Sequence, residues 1–176
     1  MKHVLTIIVF TVIAIGCRKK QIDEPEPNIL PTATQNGANL LACKINGAVH
    51  IYSGIPGRIG TNGVSFTKVW GSNNEQYVLI SAGDSKYGDQ LDIDIYEPGW
   101  NIQVKNDYKF SNENKVKAKY FYADVFNEYK TQSNSGYISF TRYDDRVVAG
   151  NFSFKVFNKT DSVKTIEGFF DIAVTQ

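Results

Sequence analysis

Histidine and cysteine are nearly absent from this 176-residue chain, which has two of each and a single methionine. His3 lies in an N-terminal leader, so His50 is the one imidazole left for acid–base work, and a Ser-His-Asp or Cys-His device would have to be built on it. Zinc sites draw on three or four close Cys, His or carboxylate ligands, and no C-x-x-C or H-x-x-x-H spacing occurs. No metal and no cofactor are expected. Excess positive charge is also missing. The 19 Lys and Arg face 18 Asp and Glu, a net charge of +1, which argues against a nucleic-acid partner held by phosphate neutralisation. The hydrophobic stretch at 4–15 would cover about 18 Å as a helix, short of the roughly 30 Å hydrocarbon core, so no membrane-spanning helix is expected. The glycine-rich stretch 54–60 lacks the Lys-Ser/Thr pair and the following helix of a phosphate-binding loop, and reads as an ordinary loop.

What is present begins with an address. Lys2 opens a short basic start, the apolar stretch follows, and Ala14-Ile15-Gly16-Cys17 resembles a bacterial lipobox, in which the Cys thiol receives a diacylglyceryl group and becomes the new N-terminus. Residues 1–16 are then a lipoprotein signal peptide, Cys17 is the lipidation site, and the expected partner is the membrane reached through that anchor. Cleavage removes Lys2 and no acid, so the side chains of the mature protein balance to zero. Residues 17–38 hold three of the five prolines without apolar periodicity and read as a flexible tether, leaving 39–176 as one domain. With Cys17 lipidated, Cys43 is a small buried hydrophobe; with Cys17 free, a Cys17–Cys43 disulfide is the alternative.

From Asn39 onward the apolar period is two, the signature of strands. Residues 40–52 read as a hairpin around Asn46-Gly47, a pair that accepts the positive φ of a type I′ turn and sets Cys43 opposite His50. Further strands are expected at 64–70, 77–82, 91–96, 108–110, 119–125, 137–143, 147–157 and 163–174, with turns at Asn73-Asn74 and Asp144-Asp145. Residues 112–119 could form a helical turn or two. Gly150 and Gly168, inside strand-like runs, mark bulges or close backbone approach. Many short strands with close turns, and no long amphipathic helix, predict an all-β fold, an antiparallel β-sandwich or barrel-like domain.

Two stretches carry a resemblance. Residues 30–39, LPTATQNGAN, followed by Cys43 and Ile45-Asn46-Gly47, resemble the opening of a group of Bacteroidetes lipoproteins, and so do Arg142-Tyr143-Asp144, Gly150, Phe152, Phe154 and the closing Gly168-Phe169-Phe170-Asp171-Ile172. The first hairpin differs, with Leu41 for a common aromatic, Ala42 for a common Gly and His50 for a common Trp. The resemblance implies a lipid-anchored cell-envelope β domain and brings no catalytic residues with it. Asp161-Ser162-Val163 resembles the three-residue O-glycosylation signal of Bacteroidetes envelope proteins, which makes Ser162 a modification candidate.

Sites within the domain follow from strand parity. In LDIDIY, Leu91, Ile93 and Ile95 share one face while Asp92, Asp94 and Tyr96 share the other. Asp92, Asp94, Tyr96 and Trp100 form the expected ligand-binding group, a carbohydrate-like combination of aromatic surface and hydrogen-bond acceptors. Tyr120 and Tyr122 are expected to add exposed aromatic surface. Asp84, Asp89, Asp92 and Asp94 make the richest acidic cluster without matching a calcium loop. The function read from these residues is a noncatalytic binding or structural module for a glycan, peptide or protein. The alternative is a carboxylate-dependent hydrolase such as a glycosidase, since Asp92 and Asp94 stand roughly 7 Å apart by strand rise.

Overall fold

The computed structural model describes residues 29–54, 63–84, 88–110, 115–122 and 124–174. The expected signal peptide, Cys17, the first part of the expected tether and most of the glycine-rich loop lie outside the described residues. Among the described residues ten strands follow one another: β1 (Leu40–Ile45), β2 (Ala48–Ser53), β3 (Gly63–Trp70), β4 (Gln76–Asp84), β5 (Asp89–Tyr96), β6 (Asp107–Lys109), β7 (Val116–Tyr122), β8 (Asp124–Tyr143), β9 (Val147–Phe157) and β10 (Val163–Ala173). All pairings are antiparallel, in the order β2-β1-β10-β9-β8-β7-β5-β4-β3, with the short β6 added on β8. The sheet curls until its two edges nearly meet, a barrel-like form. Nine strands lie along this path, so the edge strands β2 and β3 run in the same direction. They touch where the Val64 N–H donates to the Gly54 carbonyl at 2.9 Å.

Period-two patterning builds the interior. Leu91, Ile93 and Ile95 of β5 point inward, as do Phe152, Phe154 and Val156 of β9, and together with Phe140, Phe170 and Ile166 they form one continuous core. Each fully buried aliphatic or aromatic side chain contributes about 1.5–3 kcal/mol. The first hairpin has the expected geometry: Asn46 and Gly47 have φ of 51° and 87°, and Cys43 faces His50. Asn46 also ties this turn to β10, its N–H donating to the Thr165 carbonyl at 2.9 Å and its Oδ1 accepting the Thr165 N–H at 2.8 Å. Gly150 and Gly168 sit at close approaches, Gly150 against the Ser139 carbonyl and the Phe170 ring, Gly168 against the Ala42 carbonyl.

Two expectations need correction. Residues 116–119 are strand rather than helical turn, because Val116, Ala118 and Tyr120 alternate inward and β7 pairs with β5 along its length. Within the stretch expected as one strand at 119–125, β7 ends at Tyr122 and β8 starts at Asp124, and 137–143 is only the last part of a 20-residue strand. That long strand changes partner along its length, holding β7 with Glu128–Lys130 and β6 with Tyr137–Ser139.

At the end of the barrel that carries the β8–β9 turn, here called lower, the chain preceding β1 is fastened down. Buried Asp171 of β10 accepts the Thr34 hydroxyl at 2.5 Å and the N–H groups of Asn36 and Gly37 at 3.2 and 2.7 Å. Arg142 adds a 2.6 Å bond to the Gln35 carbonyl, and the Asn39 Oδ1 accepts the Ala173 N–H at 3.0 Å.

Candidate functional site

The structure brings three of the four expected ligand residues together and separates the fourth. Asp92, Asp94 and Tyr96 line the outer face of β5, each half-buried. Asp92 is held by the Ser81 hydroxyl at 2.6 Å and by the Gln90 amide at 2.9 and 3.0 Å. Across the strand, Asp92 pairs in register with Lys119 and Asp94 with Lys117. Burial raises the Asp94 carboxyl and Asp92 adds to the rise, while Lys119 and Lys117 oppose it. Trp100, by contrast, turns around the lower end and packs against the core. Its ring lies edge-on to Trp70 at 5.1 Å, Lys68 stands 5.9 Å from its centre, and its carbonyl accepts the Tyr143 hydroxyl at 2.9 Å. The turn Pro98-Gly99-Trp100, with positive φ at Gly99 and Trp100, swings the indole away from the face that Tyr96 occupies.

Beside Tyr96 the outer surface is indented by a groove of about 510 Å³, lined by Glu75, Gln76, Glu97, Lys115 and Lys117 together with Tyr96. Tyr77 flanks the Tyr96 ring at 4.9 Å from the β4 side, and Lys117 Nζ stands 4.9 Å from its centre on the β7 side. With both neighbours in place, the Tyr96 ring offers its edge and hydroxyl rather than an open stacking plane. Burial, reinforced by the Asp94 charge, raises the Tyr96 hydroxyl pKa, so this group is a donor at neutral pH. Neither Asp92 nor Asp94 lines the groove.

The acidic cluster read from the sequence is split by parity. Asp92 and Asp94 point out, whereas Asp89 points in with a fully buried side chain near the upper end of the barrel, where the β4–β5 and β9–β10 connections lie. There its Oδ2 takes the Tyr120 hydroxyl at 3.0 Å and lies 3.1 Å from His50 Nδ1, and the Tyr52 hydroxyl lies beside the same carboxylate. Burial foremost pushes the Tyr52 and Tyr120 hydroxyls well above their ordinary range, so both keep their protons and Tyr120 donates to Asp89. Cys43 shares this interior and is fully buried; burial, with the Asp89 charge added, pushes its thiol up and suppresses the thiolate that nucleophilic or metal chemistry needs. Tyr120, expected on the surface, is 1% exposed, because its position in β7 falls on the inner face with Ala118. Tyr122 is 47% exposed, as expected of it.

Above Asp89 the mouth of the barrel is aromatic and basic. Lys164 of β10 points among Tyr120, Tyr122 and Tyr129, its Nζ 5.8, 5.5 and 5.1 Å from the three ring centres. Lys164 and Tyr129 carried no motif; only the strand register, which puts Tyr120 opposite Tyr129, brings them together. Ser162 lies exposed in the β9–β10 turn, where Asn158 Oδ1 accepts its N–H at 2.9 Å. Among the described residues no three His, Cys, Asp or Glu side chains stand close enough to hold a metal ion. Comparison with known proteins yields no matching family model, curated protein or solved structure.

Proposed function

We propose that this protein is a lipid-anchored cell-envelope lipoprotein, tethered through Cys17, whose barrel is a noncatalytic binding module. The resemblance of its leader to a bacterial lipobox, and of both ends of its domain to Bacteroidetes lipoproteins, supports the address. The groove beside Tyr96 carries the binding role: its volume suits a small ligand, and carboxylates, amides, lysines and a tyrosine hydroxyl converge on it. That mixture of donors and acceptors fits a short glycan better than an apolar peptide. The hydrolase alternative would require Asp92 and Asp94 to flank a bond in a cleft, and both stand outside the groove with Asp92 already engaged by Ser81 and Gln90.

The test uses the whole protein in two arms. Cys17→Ser should abolish incorporation of labelled fatty acid, and continued labelling would remove the anchor from this reading. On an array of neutral oligosaccharides, the wild-type protein should retain at least one glycan, and Tyr96→Ala or Lys117→Ala should weaken that binding at least tenfold with the thermal midpoint nearly unchanged. Binding that ignores both substitutions would sink the groove, and glycan cleavage lost in Asp94→Asn would restore the hydrolase.

A further inference from the structure

We infer that the upper mouth of the barrel is a second binding site, selective for a small anionic ligand that carries a carboxylate or phosphate beside a flat apolar face, with Lys164 as its anion-binding group. Lys164 occupies an inward position of β10, in register with Val156 of β9, so its stem enters the mouth and its ammonium comes to rest among three tyrosine rings. Ring faces attract a cation and fix its position, but a lysine ammonium still carries three N–H donors that call for oxygen acceptors. Among the described residues no carboxylate pairs with Lys164 and no hydrogen bond satisfies it.

The buried carboxylate below the mouth is engaged through its Oδ2. Asp89 takes the Tyr120 hydroxyl and pairs with His50, with the Tyr52 hydroxyl beside it, and Tyr120 reaches both charged groups, its hydroxyl on Asp89 and its ring facing Lys164. Among the described residues the mouth therefore holds a half-buried cation without a counter-charge, positioned in advance by its aromatic walls, which lowers the side-chain entropy lost when an anion binds. Tyr122, 47% exposed at the rim, is the open surface on which the apolar face of the ligand would lie. An acidic sugar has both parts, a carboxylate for Lys164 and a C–H face for Tyr122. A phosphorylated sugar would present the same chemistry.

The experiment titrates the full-length mature protein in detergent with trigalacturonic acid, its methyl ester and inorganic phosphate, followed by calorimetry. The acid trimer should bind, lose at least tenfold in affinity in Lys164→Gln, keep most of it in Lys164→Arg and weaken as salt rises. Tyr122→Ala should weaken the trimer and leave phosphate unchanged. Phosphate binding that depends on Lys164, with the trimer silent, would support the anion site and assign its source to a phosphate-bearing ligand. The inference is overturned if the methyl ester binds as tightly as the acid, if Lys164→Gln binds like wild type, or if no probe binds a protein whose melting is unchanged.

Discussion

At Gly168 a single methyl group decides whether the first strand can lie against the last. A Cβ built there meets the Ala42 carbonyl and stands 2.7 Å from the Cys43 Cβ, both fixed parts of β1, so nothing nearby can yield. Gly168→Ala is expected to cost about 1–3 kcal/mol, the range for overpacking a tight interior, read as a lowered midpoint in chemical denaturation. An undisturbed midpoint would mean that β1 can move aside. The glycine was legible in the sequence because an unsubstituted residue inside an alternating run has few other reasons to be there. Lys164 was not, because a lysine in a strand with exposed neighbours reads as solvated until the register shows which rings it faces. Asp89 was noticed only as one of four acids, and its inward direction depends on a parity that begins at Leu91 and must be carried back two residues past the strand's end.

Among the elements, the strands with unbroken alternation were the legible ones: β5, β9 and the first hairpin stand where the period placed them. The first half of β8 was not, since its polar sequence has no apolar rhythm and its pairing slips between Thr131 and Gly136. The β8–β9 turn is organised by Asp144, which accepts the Arg142 guanidinium at 2.7 Å and the N–H groups of Arg146 and Val147 at 2.8 Å each. Those bonds, the Arg142 one foremost, lower its carboxyl to about 2. A carboxyl depressed in the folded state supports the turn fully above its unfolded value of about 3.9 and loses that support as pH falls through the folded value. Carboxyl NMR should therefore find an Asp144 midpoint near 2. In Arg142→Gln the midpoint should climb toward the ordinary range, and an unmoved midpoint would assign the effect to the backbone donors alone.

For the whole molecule, Asp171 joins the chain before β1 to the barrel. Burial alone would raise its carboxyl, but the Thr34 hydroxyl and the N–H groups of Gly37, Ala38 and Asn36 outweigh it and hold the group low. Asp171→Asn replaces that charged acceptor with a weaker one and should cost about 1.5–3 kcal/mol, with hydrogen exchange at Gly37 rising well before the core strands respond. Uniform exchange across 34–37 and the core would contradict a local clamp. In the wild type the same loosening is expected in acid, as pH falls through the depressed value. The pairing of β1 with β10, Leu40 opposite Asp171 and Ile45 opposite Ile166, also orders events in time. The first hairpin has its neighbour in β10, more than a hundred residues later, so β1 gains its second partner only after Val163–Ala173 has been made. A fragment ending before Val163 would keep the β1–β2 hairpin without its partner and leave β9 with a bare edge. β10 is thus the strand that joins the earliest hairpin to the rest of the sheet, and a protease that cuts unpaired strands would tell copies that have it from copies that lack it.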